Sequence, residues 1–128
     1  MRSAVVPRRG DVFHADLGAQ VLGTAQTSEQ AGQRPVVIVR RDVVNATRRV
    51  VIVVPCTTFG GRVTASTQPR DPSEVVLRAG EARLPFVCVA LAGQARALDT
   101  QRLRRRLGRL SAEALGQIEA ALLDGLGP

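Results

Sequence analysis

The chain has 128 residues, enough for one domain with a buried core and too few for two independent ones. Apolar residues make up 45% and charged residues 23% of the sequence, which is ordinary for a globular chain and excludes a disordered one. The formal net charge is +7, and all 18 basic residues are arginine. Arginine binds phosphate oxygens through two parallel hydrogen bonds, so the charge predicts an anionic partner, either nucleic acid or an acidic protein. A compositional exchange of lysine for arginine explains the missing lysines equally well.

Cellular location and metal binding are constrained by what the sequence lacks. No apolar run approaches the roughly 20 residues that span a bilayer, and residues 1–10 have no apolar stretch like that of a secretory signal. We therefore expect a cytoplasmic protein without a membrane anchor. Cys56 and Cys88 have apolar neighbours, which predicts buried, reduced thiols. With His14 as the single histidine, no zinc-binding spacing is present, and we expect no metal and no cofactor.

The first half of the chain predicts three strands and a long loop. Residues 11–17 alternate loosely and predict the first strand. Residues 35–40 and 49–54 are β-branched, apolar runs that predict two central strands. Residues 17–33 are rich in glycine and glutamine and show little periodicity, which predicts a loop long enough to be functional.

The second half predicts shorter strands followed by helix. Residues 73–77 and 86–90 are strand candidates after a polar stretch, and residues 94–98 are a weaker one. From Asp99 or Thr100 onward, three leucines at i, i+4 and i+7 predict a short helix that is broken or kinked at Gly108: Leu103, Leu107 and Leu110. A final helix is predicted to begin after Ser111, with Glu113 near its positive end, and to stop at Gly125.

This order of elements predicts the fold class. Strands come first and helix comes last, without repeats or low-complexity segments. We therefore expect one domain over residues 1–128, a β-rich α+β fold in which a small twisted barrel is closed by a C-terminal helix.

Two polar strings lie where the central strands begin and end. Residues 28–35 read SEQAGQRP and lead into the first apolar run, and residues 55–58 read PCTT at the end of the second. Pro35 restrains the backbone of Arg34 to extended geometry at the start of a buried strand, so we expect the Arg34 guanidinium to be held in a fixed direction. Thr57 and Thr58 are adjacent in a strand, so only one of them should face the same site.

These two strings, together with Gly10-Asp11-Val12 and Gln94, resemble the MazF/PemK family of toxin endoribonucleases over nearly the whole chain. The resemblance implies an SH3-like barrel of the MazF/CcdB type, a homodimer, and cleavage of single-stranded RNA at short specific sequences. It also implies a MazE-like antitoxin whose acidic, disordered tail would order on this cationic surface.

The resemblance also assigns roles to individual residues. Arg34 should bind the scissile phosphate and offset charge in the transition state, since arginine is a poor acid or base at neutral pH. Thr57 aligns with the family's active-site threonine, and Glu29 with an acidic residue important for activity, as a base or as a loop-shaping group. The expected substrate-binding residues are Gln30, Gly32, Thr58 and Gln94.

The expected reaction needs no metal ion. Because no metal constellation or clear nucleophile is present, the RNA should supply its own 2′-hydroxyl, leaving a 2′,3′-cyclic phosphate and a 5′-hydroxyl. Members of the family are understood to react in this way. His14 is the single imidazole and an obvious candidate base, but it lies within the first predicted strand, and we expect it to pack. Asp16 and Asp99 are predicted turn or cap residues.

Two other functions compete with this one. A non-catalytic RNA-binding, translation-inhibiting module would keep the fold and the cationic groove. A gyrase poison of similar fold relies on a C-terminal tryptophan, which this sequence lacks. The chain also differs from the family pattern in a longer loop over residues 18–27 and in Gly93, where an acidic residue is common.

Overall fold

The computed structural model describes residues 6–18, 33–41, 50–58 and 72–126. In these residues seven strands form one sheet and a single α-helix follows. The strands are β1 (Asp11–Asp16), β2 (Gln33–Arg41), β3 (Val50–Thr58), β4 (Glu74–Leu77), β5 (Cys88–Leu91), β6 (Arg96–Asp99) and β7 (Leu103–Arg109), and the helix is α1 (Ala112–Leu126).

The sheet follows the order β4-β5-β3-β2-β1-β7, with β6 paired to β3 beside this path. All pairs are antiparallel. The predicted β-rich fold with a C-terminal helix is confirmed. The sheet is open, with β4 and β7 at the two ends of the path, so it is a curved half-barrel and not a closed one.

Strand β3 is the centre of the sheet because it pairs with three other strands. One edge pairs with β2, and the other pairs first with β6, as Val53 with Arg96, and then with β5, as Cys56 with Ala90. Pro55 lies between these two pairings, where its missing N–H removes no bond from the β5 or β6 ladder. The predicted strand over 49–54 therefore continues through the proline to Thr58.

The two faces of the sheet carry two large apolar clusters, and a third, small cluster in the described residues contains Val89 and Leu91. The larger cluster packs against α1 through Leu115 and Ile118 and includes Val37, Val54 and Cys56. The smaller cluster lies on the opposite face, because its members alternate along the strands with those of the larger one: Phe13, Ala15, Leu17, Val36, Ile38, Val51, Val53 and Leu98. The helix covers one face only, which leaves the other face for the residues considered below.

Helix α1 begins as the sequence predicts. The Ser111 hydroxyl accepts a hydrogen bond from the Ala114 N–H at 3.1 Å, and the Glu81 carboxylate accepts one from the Ser111 N–H at 2.8 Å. The helix ends at Leu126, one residue beyond the predicted stop at Gly125. No helix within the described ranges has the length and apolar content needed to cross a bilayer.

The helix predicted between residue 99 and Leu110 is wrong. A short 3-10 turn (Thr100–Arg102) is capped by Asp99, whose carboxylate accepts from the Gln101 N–H at 2.8 Å, and β7 follows it. Because β7 is irregular, Leu103 packs against the smaller cluster and Leu107 against the larger one. In the sequence alone, their spacing of four fits one side of a helix and also one side of a regular strand. The unpaired edge of β1 decides between them, because β7 supplies its missing hydrogen-bond partners.

Both cysteines are buried as free thiols, as predicted. Burial raises the pKa of the Cys56 thiol far above its ordinary value, and the neighbouring Cys88 raises it further. Burial also raises the pKa of Cys88. Both groups therefore stay protonated in the folded chain at a pH where an unfolded chain has begun to ionise.

We expect the free energy of unfolding to fall as the pH rises above about 8.5, the ordinary pKa of a thiol. Below that pH the thiols are protonated in both the folded and the unfolded chain. Above it the unfolded chain binds fewer protons than the folded one, so the free energy of unfolding falls with rising pH. The slope reaches up to about 1.4 kcal/mol per pH unit for each thiol. Urea unfolding between about pH 7 and about pH 10 measures the slope. A Cys56→Ala variant should show a shallower slope, whatever its cavity costs at neutral pH. Equal slopes would contradict this explanation.

Candidate active site

Arg34 and Thr57 meet across two neighbouring strands. Val36 of β2 pairs with Pro55 of β3, and the same antiparallel register carried two residues further places Arg34 opposite Thr57. One Arg34 guanidinium nitrogen (Nη1) donates to the Thr57 hydroxyl oxygen at 3.5 Å. Residues that the sequence separates by 23 positions are thus held together at one end of the sheet.

Both side chains are buried, with 3% of Arg34 and 9% of Thr57 exposed. A charge at such a position is screened little by water, so its attraction to an anion is stronger than at the surface. Arginine has five N–H groups, so a guanidinium can donate to more than one acceptor at once. A phosphate that binds Arg34 must move neighbouring groups apart, because so little of the guanidinium reaches the surface.

Apolar residues flank the pair on both sides within the sheet. Ala15 of β1 pairs with Arg34 and with Leu103 of β7, and Val89 of β5 pairs with Thr57 and with Val76 of β4. Paired residues of a sheet share a face, so a single row crosses six strands with the two polar residues at its middle. The two polar side chains therefore lie between apolar neighbours in the middle of the sheet.

The register also distinguishes Thr57 from Thr58. Thr58 is the partner of Cys88, a member of the helix-packed cluster, whereas Thr57 lies on the face that carries Arg34. The expectation that only one of the two threonines faces the site is consistent with this geometry, and Thr57 is the one in contact. The side chain of Thr58 is outside the described atoms.

Gln94 lies at the surface between two strands of the sheet. It ends a 3-10 turn (Ala92–Gln94) between β5 and β6, and it is exposed. Its neighbour Gly93 lies against Ser73, because a Cβ placed on Gly93 would come within 3.5 Å of the Ser73 hydroxyl. The described contacts do not join Gln94 to Arg34 or Thr57. Three other expected site residues, Glu29, Gln30 and Gly32, lie outside the described residues.

His14 and two aspartates have the positions that the sequence predicts. His14 is half-buried within β1, and it alternates with Ala15, so it lies on the face opposite Arg34. Asp16 accepts a hydrogen bond from the Gly18 N–H at 3.1 Å, which is a turn contact, and Asp99 caps the turn before β7. In the part of the chain that the structure describes, no three His, Cys, Asp or Glu side chains are grouped so as to hold a metal ion.

Two arginines lie next to this end of the sheet. Arg102 and Arg104 both approach the Asp16 carboxylate, at 3.9 and 3.5 Å. Asp16 pairs with Gln33, the residue before Arg34, so these arginines lie two strands from the candidate site. In the sequence both belong to an arginine cluster over residues 102–109 that could attract RNA or form a solvated helix face, but the helix is wrong, and their position beside Asp16 was not predicted.

Comparison with known proteins gives the chain a family. Residues 8–126 match the family model of the PemK-like, MazF-like toxins of type II toxin-antitoxin systems. Endoribonuclease MazF9 of Mycobacterium tuberculosis is 38% identical over an alignment of 120 residues that covers 90% of this chain and 92% of that protein. An endoribonuclease from a mycobacterial species, solved in complex with its cognate antitoxin, has a similar fold, with a TM-score of 0.68, 24% identity, and coverage of 94% of this chain and 95% of that one. A MazE-MazF complex from Deinococcus radiodurans gives a TM-score of 0.64 with 25% identity, over 96% of this chain and 98% of that one. The chain therefore belongs to the PemK-like, MazF-like toxins of type II toxin-antitoxin systems.

Proposed function

We propose that this chain, an endoribonuclease toxin of the MazF/PemK family, cleaves single-stranded RNA at short specific sequences without a metal ion. Its substrates are messenger RNA and, within the same chemistry, ribosomal and transfer RNA. The observation that supports the proposal most strongly is the contact between the buried Arg34 guanidinium and the Thr57 hydroxyl. We assign residues 1–128 to one toxin domain.

The proposed reaction is an internal phosphoryl transfer. The 2′-oxygen of the RNA forms a bond to the adjacent phosphorus, and the bond to the 5′-oxygen of the next nucleotide breaks. The products are a 2′,3′-cyclic phosphate and a free 5′-hydroxyl. Charge that grows on the non-bridging oxygens is stabilised by Arg34, and the Thr57 hydroxyl donates to one of those oxygens or orients the attacking group.

Arg34 does not move protons in this scheme, because it stays protonated at neutral pH. Glu29 is the third proposed catalytic residue on the family resemblance, either as the base for the 2′-hydroxyl proton or as a group that shapes the loop. The proposed substrate-binding residues are Gln30, Gly32, Thr58 and Gln94. Their amide, hydroxyl and backbone groups suit base edges and close approach of an RNA backbone.

The proposed partner is a MazE-like antitoxin, and the proposed assembly is a homodimer in the cytoplasm. The mycobacterial relative was solved with its cognate antitoxin, which supports an antitoxin here as well. The net charge of +7 favours an acidic, disordered antitoxin tail, which would order on binding and cover Arg34.

Cleavage of one long single-stranded RNA in EDTA, beside single-stranded DNA of the same sequence, tests the reaction. We expect discrete cuts in the RNA with cyclic-phosphate and 5′-hydroxyl ends, and no cuts in the DNA, because DNA has no 2′-hydroxyl. Loss of cutting in EDTA, or equal cutting of the DNA, would contradict the mechanism. RNA that stays bound but intact would favour the non-catalytic binding module instead.

A further inference from the structure

The outer strand of the sheet carries a concentration of positive charge. Five exposed arginines lie on β7 or directly before it, and we call them the β7 arginine edge: Arg102, Arg104, Arg105, Arg106 and Arg109. β7 is the end of the strand path in the described part of the chain. The edge therefore faces outward from the sheet.

Two irregularities in β7 bring its consecutive arginines to the surface. Leu103 pairs with Ala15, and Arg106 pairs with Phe13. Between these two pairs, β7 has two residues where β1 has only one. A second shift occurs before Gly108 pairs with Val12. Bulges of this kind redirect side chains and interrupt the ladder, and here residues 104–106 are all exposed where a regular strand would alternate.

Asp16 holds the beginning of the edge. Its carboxylate oxygens lie 3.9 Å from Arg102 and 3.5 Å from Arg104, and its carbonyl oxygen accepts from Arg102 at 3.2 Å. A second donor of Arg104 reaches the Gln101 carbonyl at 2.8 Å. These contacts restrict both arginines while about half of each side chain stays exposed, 51% and 50%.

Asp11 holds the end of the edge. This buried carboxylate accepts from Arg106 at 3.2 Å and from Arg109 at 3.3 Å, and it also accepts from the Arg8 N–H at 2.9 Å. Arg109 makes a further bond to the Arg9 carbonyl at 3.3 Å. Both arginine side chains remain about two-fifths exposed, 40% and 44%.

The charge of the edge is only partly compensated. Five arginines lie along it, and Asp11 and Asp16 are the acidic side chains that contact them within the described residues. Three positive charges are therefore unmatched locally. The two aspartates restrict the guanidinium groups that they contact. An anion that binds those guanidinium groups therefore costs less side-chain entropy than one that binds unrestrained arginines.

The edge lies close to the candidate active site. Leu103, Ala15 and Arg34 are consecutive members of the row that crosses the sheet, so the start of β7 is two strand spacings, about 10 Å, from β2. Asp11 and Asp16 are the two ends of β1, which places the two halves of the edge about 17 Å apart at ~3.3 Å per residue. This length covers several nucleotides of a single strand.

We propose that the β7 arginine edge binds the sugar-phosphate backbone of single-stranded RNA next to the phosphate held by Arg34. The inference rests on the proposed function and extends the RNA-binding surface to a strand outside the site. An acidic protein segment that adds itself as a further strand fits less well, because bulges and an arginine run prevent strand addition. A flexible polyanion needs only the guanidinium groups.

The salt dependence of RNA binding tests this proposal. The test variant is Arg104→Gln/Arg105→Gln, and the control is Arg40→Gln/Arg96→Gln, which removes the same charge from exposed arginines of β2 and β6. The probe is a 2′-O-methyl RNA of mixed sequence, which binds but cannot be cut. We expect the test variant to reduce the slope of log affinity against log salt by about 1.4, since each single-strand phosphate contact contributes about 0.7. The control should leave the slope unchanged.

Each other outcome would overturn the proposal. Equal reductions in both variants would show an effect of overall charge only. An unchanged slope for RNA, with lost binding of a polyglutamate peptide, would assign the edge to an acidic protein. Thermal unfolding of both variants shows whether they fold. A cleavage assay on the unaltered protein separates this test from that of the proposed function. Uncut RNA would contradict the proposed reaction and not the role of the edge. An unchanged salt dependence of RNA binding in a protein that does cut RNA would contradict the role of the edge and not the reaction.

Discussion

Replacing Arg34 with lysine is expected to lower the rate of RNA cleavage by about 10²–10³-fold, as loss of one preorganised transition-state donor does. Lysine keeps the positive charge but offers a compact ammonium in place of a planar fork. At a site where 3% of the arginine is exposed, a lysine also tends to lose its proton. The measurement is single-turnover cleavage of the RNA that the unaltered protein cuts, with end mapping.

Arg40→Lys is the matched control for this prediction. Arg40 lies on the same strand, is exposed, and is expected to change the rate by less than about twofold. Thermal unfolding shows whether the Arg34 variant is folded at the assay temperature. Thr57→Val should lower the cleavage rate by a smaller factor in the Arg34→Lys variant than in the original protein. The side chains of Arg34 and Thr57 contact each other, so the effects of the two substitutions are not additive. Full activity of the lysine variant would refute the proposed role of Arg34.

Replacing Gly108 with alanine is expected to lower the free energy of unfolding by about 1–3 kcal/mol, which is typical of overpacking. A Cβ at this position would lie 2.7 Å from the Ala82 carbonyl oxygen and 2.8 Å from its carbon. The clash is with backbone, and the turn cannot easily withdraw, because Ala82 is buried and Glu81 holds the start of α1. Urea unfolding of the variant measures the loss.

Gly116→Ala provides a control of opposite sign. Gly116 is exposed within α1, and a Cβ there would meet nothing within 4 Å. Alanine is favoured over glycine in a helix interior by roughly 0.5–1 kcal/mol, so this variant should be more stable than the original protein. A Gly108 variant of unchanged stability would mean that β7 and the turn at Ala82 separate without cost.

The elements that the sequence predicted well are those whose pattern fits one kind of structure. The β-branched runs that became β2 and β3 and the capped helix after Ser111 were found within a few residues. β7 was missed because Leu103 and Leu107 are spaced for either kind of element, and the deciding factor was an open edge of β1 far away in the chain. Gly108 was interpreted as a helix break, whereas in the structure its missing side chain leaves room for the backbone of Ala82.

The sequence predicted that an arginine and a threonine hydroxyl are held near each other at the ends of neighbouring strands, but not which residues are paired. Arg34 and Thr57 were identified from strand ends and family resemblance, and the structure brings them into contact. Their contact depends on the register between β2 and β3, which no local pattern specifies. The arginines beside Asp16 depend in the same way on a pairing between β1 and β7 that follows from the whole sheet.

The division of the apolar residues between two faces of one sheet has an evolutionary consequence. Helix α1 and its cluster lie on one face, whereas Arg34 and Thr57 lie on the other. Substitutions around Arg34 that spare the smaller apolar cluster can accumulate without disturbing the contacts of the helix. A lineage with this architecture can therefore vary the surroundings of Arg34 and Thr57 separately from the packing of its helix.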